Sequence, residues 1–178
     1  MVESAVAPLE RAQKLAAGAR VVAVVVSVIV IVAAVTRIMI PPMLEMLRGA
    51  ELTANWRGIV HFVTTMLAYA LLAAPSFMLA GAIRELGDVL DEYSAGRFFT
   101  LKSGKAVRKA GEAALLAMAF KIVLSPTLFG FVIGEQRGVV WDYEPFDLGL
   151  IAFAAFVMVA GRVLEAAAAI KADSDEII

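Results

Sequence analysis

Lys121 is the residue with most to explain, because it falls near the centre of an apolar run from Ala113 to Ile133, where placing a lysine costs about 2.5–3.5 kcal/mol. At 1.5 Å per helical residue it lies about 3 Å to the N-terminal side of that run's midpoint. Ser27 and Ser76 come to similar depths within their own apolar runs, and a hydroxyl can accept a hydrogen bond from the ammonium. The three form a candidate intramembrane polar site. One reading is a lysine that snorkels or is satisfied by hydroxyls and carbonyls between helices. The others are an ion, proton or anionic-ligand site, or a contact between subunits. On the first reading Lys121→Leu leaves the fold intact, since an apolar side chain avoids burying a charge.

Pro75 and Pro126 each delete a helix hydrogen bond and leave the carbonyls of Leu71 and Ile122 without their usual donors. Ile122 follows Lys121 directly, so a kink there would open a polar pocket around the ammonium. Glu135, Asp142, Glu144 and Asp147 cluster before the fourth apolar run, with His61 at a comparable height. Oxygen ligands suit a hard cation, but the spacing matches no known loop, and a solvated acidic turn is the favoured reading. The absence of cysteine excludes disulfides, thiolate metal sites and thiol nucleophiles, and a single histidine excludes a bis-histidine haem. Gly104-Lys105 lacks the glycine-rich context of a phosphate loop, and no Gly-x-Ser-x-Gly occurs. The expectation is a protein that is not an enzyme and holds no metal or cofactor.

The elements that carry these residues follow from four apolar runs, Val21 to Ile40, Ile59 to Ile83, Ala113 to Ile133 and Phe146 to Gly161. A helix needs about 20 mostly apolar residues to cross a hydrocarbon core of about 30 Å. The fold class expected is all-α, an integral membrane four-helix bundle with cytoplasmic helical extensions. It is a single domain over 1–178, with spans at 18–40, 59–83, 111–133 and 146–167. The 178 residues are 61% hydrophobic, above the roughly 45–50% of soluble domains, and mean hydropathy is +0.84. A net charge of −1 leaves no basic footprint for direct nucleic-acid binding. The polar segment before the first run, with Glu3, Glu10, Arg11, Lys14 and Arg20, argues against a cleaved signal peptide.

Lys and Arg at the span ends and beyond them number eleven on one side (N-terminus, second connection, C-terminus) against four on the other, so both termini and the second connection are expected in the cytoplasm. Trp56, Trp141 and Tyr143 fall at the opposite interface, where amphipathic rings prefer to lie. Pro41 and Pro42 are expected to open a short interfacial helix over Met43 to Arg48. Gly130 and Gly134 form a GxxxG through which a second helix could approach closely, within the chain or in a homo-oligomer. The second span is expected to run past Ile83 as a cytoplasmic extension with Glu85, Asp88, Asp91 and Glu92 on its polar face, to stop at Gly96, and to be followed by a helix capped by Thr100. In this cytoplasmic hairpin, 84–110, Phe98, Phe99, Lys105 and Arg108 are candidate partner contacts, since aromatics flanked by charge suit an interface anchor.

Tyr93-Ser94-Ala95-Gly96-Arg97-Phe98-Phe99-Thr100, with Ser103, Val107, Arg108, Lys109 and Gly111 after it, resembles the signature of a bacterial family of four-span membrane proteins, the domain-of-unknown-function family 2975, also called YoaS-like. The acidic tail Asp173, Asp175 and Glu176 is similar as well. The resemblance implies a bacterial inner-membrane protein whose partner is a small helix-turn-helix regulator. Two functional classes follow: a sensory, regulatory or accessory protein that binds a cytoplasmic or membrane partner through its hairpin, or a small oligomeric transporter or channel component using Lys121 and the kinked helices.

Overall fold

The apolar runs fold as helices because Ala, Leu, Ile, Val, Met and Phe dominate them; Pro41 and Pro126 follow loosened turns, and Pro75 is carried inside a continuous helix. The structure is a computed structural model describing residues 3–48, 56–98, 100–134 and 138–175. A first rod consists of α1 (Glu3–Ala34), a π-helical turn at Val35–Met39 and α2 (Ile40–Arg48). The second rod is α3 (Trp56–Ser94); the third is α4 (Leu101–Ala119), a π turn at Phe120–Leu124 and α5 (Ser125–Ile133); the fourth is α6 (Pro145–Asp175). All four rods are long and apolar enough to cross a bilayer. No strand occurs among the described residues.

Both π turns stand immediately before proline. In them the N–H of Ile40 reaches back to Val35 O and that of Ser125 to Phe120 O, which widens the turn just where Pro41 and Pro126 cannot donate. This corrects the expectation at Pro41 and Pro42. Instead of opening a separate interfacial helix, they continue the first rod, and Pro42 is buried.

The bundle is open. The first rod packs on α3, α3 packs also on the third rod, and α4 packs on α6; the α6 backbone approaches neither the first rod nor α3, although Leu150 and Val157 of α6 share an apolar cleft with Leu79 and Leu86 of α3, and the α1 backbone does not reach α4. Four helices therefore stand in a row in chain order. The reason is visible on α3, which has buried small residues on two sides at seven-residue spacing: Ala68, Pro75, Ala82 and Val89, and separately Ala73, Ala80 and Gly87. Ala82 lines a cleft with α4 and Gly87 one with α1. The end rods have a single stripe, which on α6 is Asp147, Ala154, Gly161 and Ala168.

α4 and α6 meet backbone to backbone. A Cβ on Gly104 would come within 2.7 Å of the Glu165 nitrogen, and one on Gly111 or Gly161 would overlap the backbone of Met158 or Arg108. Small residues allow that approach. Gly134 has another job: it ends α5 at φ 78, its N–H on Gly130 O, and nothing lies within 4 Å of a Cβ placed there. Gly104 opposite Glu165, Arg108 opposite Gly161, Gly111 opposite Met158 and Lys121 against Asp147 are steps of one antiparallel register. That register starts α6 level with the second π turn. The nine residues of α5, about 14 Å at 1.5 Å per residue, rise past it.

Candidate functional site

The chain returns from the top of α5 to the start of α6 along α5 itself. Val140 donates its N–H to Thr127 Oγ1 (3.0 Å), Thr127 Oγ1 donates to Val140 O (3.3 Å), and Asp142 donates its N–H to Ile122 O (2.9 Å). That last bond fills the acceptor vacated by Pro126. The acceptor vacated by Pro75, Leu71 O, is filled in the same way from the next rod, by Ser125 Oγ at 2.8 Å. Tyr69 packs edge-on against Phe129 one turn further along the same contact, ring centres 5.5 Å apart. The polar pocket expected at the kink is therefore already occupied by the protein's own donors.

At the foot of this segment Pro145 takes the first position of α6, where a missing N–H costs nothing. Asp147, two residues on, accepts the Glu144 N–H on Oδ2 at 2.9 Å, the reach-back half of a capping box. Its other oxygen takes Lys121 Nζ at 2.5 Å. Asp147 is 1% exposed and the Lys121 side chain 43%. Asp147 is thus a buried counter-ion rather than part of a solvated acidic turn. Sequence reasoning missed the pair because Asp147 sits at the edge of its apolar run and only the α4–α6 register brings it to Lys121; the Pro145–Asp147 spacing at a helix start was the available signal.

The serines expected beside Lys121 are elsewhere. Ser27 is buried, and its hydroxyl donates to Val24 O at 2.8 Å. Traced through the Arg20–Asp91 ion pair and the Ser125–Leu71 bond, it stands about 13 Å towards the hairpin end from Lys121, at 1.5 Å per residue. Ser76 lies on α3, and the hydrogen bond of Lys121 goes to Asp147 instead. Among the described residues no group of three or more His, Asp or Glu side chains is placed to hold a metal; His61, Asp142 and Glu144 are exposed, and Glu135 lies outside the described residues.

A second polar cluster closes the α3–α4 hairpin. Gly96, at φ 75, ends α3, and Thr100 and Ser103 cap α4 reciprocally. Glu92, 6% exposed, takes Arg97 Nε at 2.8 Å and Lys102 Nζ at 2.8 Å. Hydrogen bonds from Arg97 and then Lys102 hold its carboxyl down at about 2. Phe98 stacks on Tyr93 with ring centres 5.4 Å apart and is half-buried; Phe99 lies outside the described residues. Lys105 is exposed, and with Lys102 and Lys109 it faces Glu85 and Asp88 across a groove of ≈ 510 Å³ between α3 and α4. Arg108 is not available as a partner contact: its guanidinium donates to Glu165 at 2.9 Å and to Glu112 at 2.6 Å, tying α4 to α6.

No family model, curated protein or solved structure matches the chain.

Proposed function

We propose that the chain is a non-enzymatic protein of the bacterial inner membrane, termini and hairpin in the cytoplasm, that presents the α3–α4 hairpin to a soluble protein partner. One observation carries the reading. The hairpin is clasped by its own Glu92, Arg97 and Lys102, while the neighbouring groove sets a basic wall (Lys102, Lys105, Lys109) opposite an acidic one (Glu85, Asp88) and leaves it open. A rigid surface of mixed charge discriminates between partners by complementarity at little ordering cost. The resemblance of residues 93–111 supports a small helix-turn-helix regulator as that partner. The test is a photo-crosslinking side chain at Lys105 in intact membranes. A discrete adduct with one soluble protein, lost on Lys109→Glu or Asp88→Lys while thermal stability is unchanged, supports the reading; adducts with lipid alone overturn it.

The second reading, a component of a small oligomeric transporter, is favoured by the 43% exposure of Lys121 inside an apolar rod. Solute flux in proteoliposomes, abolished by Lys121→Gln, would place function there.

A further inference from the structure

The two edges of the row carry opposite charge at one depth. Arg37 is exposed in the π turn of the first rod and has no ion-pair partner among the described residues. Asp142 and Glu144 are exposed on the segment that leads into α6, and their carboxylates have no cation among the described residues. Arg20 pairs with Asp91, Ser125 with Leu71 and Lys121 with Asp147. Counting 1.5 Å per residue along each rod between these cross-links brings Arg37 level with Asp147 to within about one turn. The edges are therefore matched in height as well as in sign.

That height is level with the second π turn, about 18 Å below Ile133 at the top of α5 at 1.5 Å per residue, so a bilayer spanned by the whole third rod would enclose it. Charges facing acyl chains there are expensive, and non-helical backbone is tolerated only against protein or water. The segment is non-helical, and the N–H groups of Trp141 and Tyr143 have no acceptor among the described residues, whereas those of Val140, Asp142 and Glu144 do. In such a bilayer protein or water, rather than acyl chains, covers this edge. Copies of one chain, inserted in one orientation, necessarily present Arg37 at the depth of Asp142 and Glu144.

We propose that copies of the chain assemble side by side in the bilayer, Arg37 on the first-rod edge of one copy pairing with Asp142 and Glu144 on the α6 edge of the next. The contact is head-to-tail, so repetition gives a ring or an open row rather than a two-fold dimer. It buries the exposed faces that flank these charges, Val25, Val28, Ile29 and Val32 on α1 and Phe156 on α6. The inference does not depend on the hairpin reading, because the hairpin lies at the other end of the rods.

The chain lacks cysteine, so Thr36→Cys and Tyr143→Cys, which keep every charge, can be oxidised in native membranes without background. The double variant should give a ladder of dimers, trimers and higher species, and a mixture of the two single variants should give dimers only. Arg37→Glu should reduce the crosslinked fraction about tenfold, and adding Asp142→Lys with Glu144→Lys should restore it, as expected when a charge pair determines association. Crosslinks within either single variant alone would show a two-fold contact and overturn the proposal. So would a double variant that stays monomeric while its Trp141 fluorescence and thermal unfolding match the parent chain, or crosslinking indifferent to both charge reversals.

Discussion

Lys121→Leu should destabilise the protein. The substitution removes the only cation on Asp147 among the described residues; the Asp147 side chain is 1% exposed and its second oxygen is committed to the Glu144 N–H. Removing one partner of a buried pair costs about 3–5 kcal/mol, since it strands the other charge. Lys121 is itself 43% exposed, so the pair is only half enclosed by protein and the lower end, about 3 kcal/mol, applies. For a chain of this size that is a fall in melting temperature of about 6–12 °C. Lys121→Leu combined with Asp147→Asn should recover most of the loss, because the amide oxygen still accepts the Glu144 N–H while carrying no charge. Unfolding in detergent, followed by Trp141 fluorescence beside the site, reads all three proteins. A Lys121→Leu chain as stable as its parent would refute the argument and return Lys121 to a snorkelling role, on which leucine is harmless.

Gly161→Leu should separate α6 from α4 more severely than Gly134→Leu perturbs any contact between rods, since only the first meets backbone, that of Arg108; faster amide hydrogen exchange along α6 in Gly161→Leu but not in Gly134→Leu would show it. The carboxyl of Glu92, lowered to about 2 from 4.5, contributes stability that is fully present above pH 4.5 and is lost as pH falls towards 2. The melting-temperature gap between the parent chain and Glu92→Gln should therefore close over that window, and a gap constant from pH 7 to 2 would assign the clasp no electrostatic role. Ser125→Ala should cost about 1 kcal/mol, the Leu71 carbonyl losing its replacement donor. Topology is checked with a cysteine at Lys105, which is exposed, rather than at Ser103, which is 0% exposed; labelling at 105 from outside intact cells would overturn the cytoplasmic assignment.

Local physics was legible in the sequence. The apolar runs, the stop at Gly96 and the Thr100 cap each depend on residues within a turn or two, and each appears where their chemistry puts it. The order of the row was not legible in the same way. Whether a fourth helix folds back on the first depends on how many sides of each helix are lined by small residues, and that signal is carried by single Ala and Gly positions seven apart within uniformly apolar runs. Hydropathy cannot see them. Gly104, Gly111 and Gly161 set the α4–α6 register, and only with that register does Asp147 reach Lys121 or Arg108 reach Glu165.

The polar residues of the apolar rods have a common logic once the backbone is accounted for. Pro75 and Pro126 each orphan a carbonyl, and the extended segment before α6 orphans several groups at once. Ser125, Thr127 and Asp147, with the Asp142 amide, meet those vacancies from the adjacent element, each at 3.3 Å or less. A side chain spent in this way is structural, and its loss should register in stability. Arg37 and the carboxylates of Asp142 and Glu144 are exposed and have no ionic partner among the described residues. The side-by-side assembly proposed above would give these charges partners, whereas Lys121 already has its carboxylate within the chain.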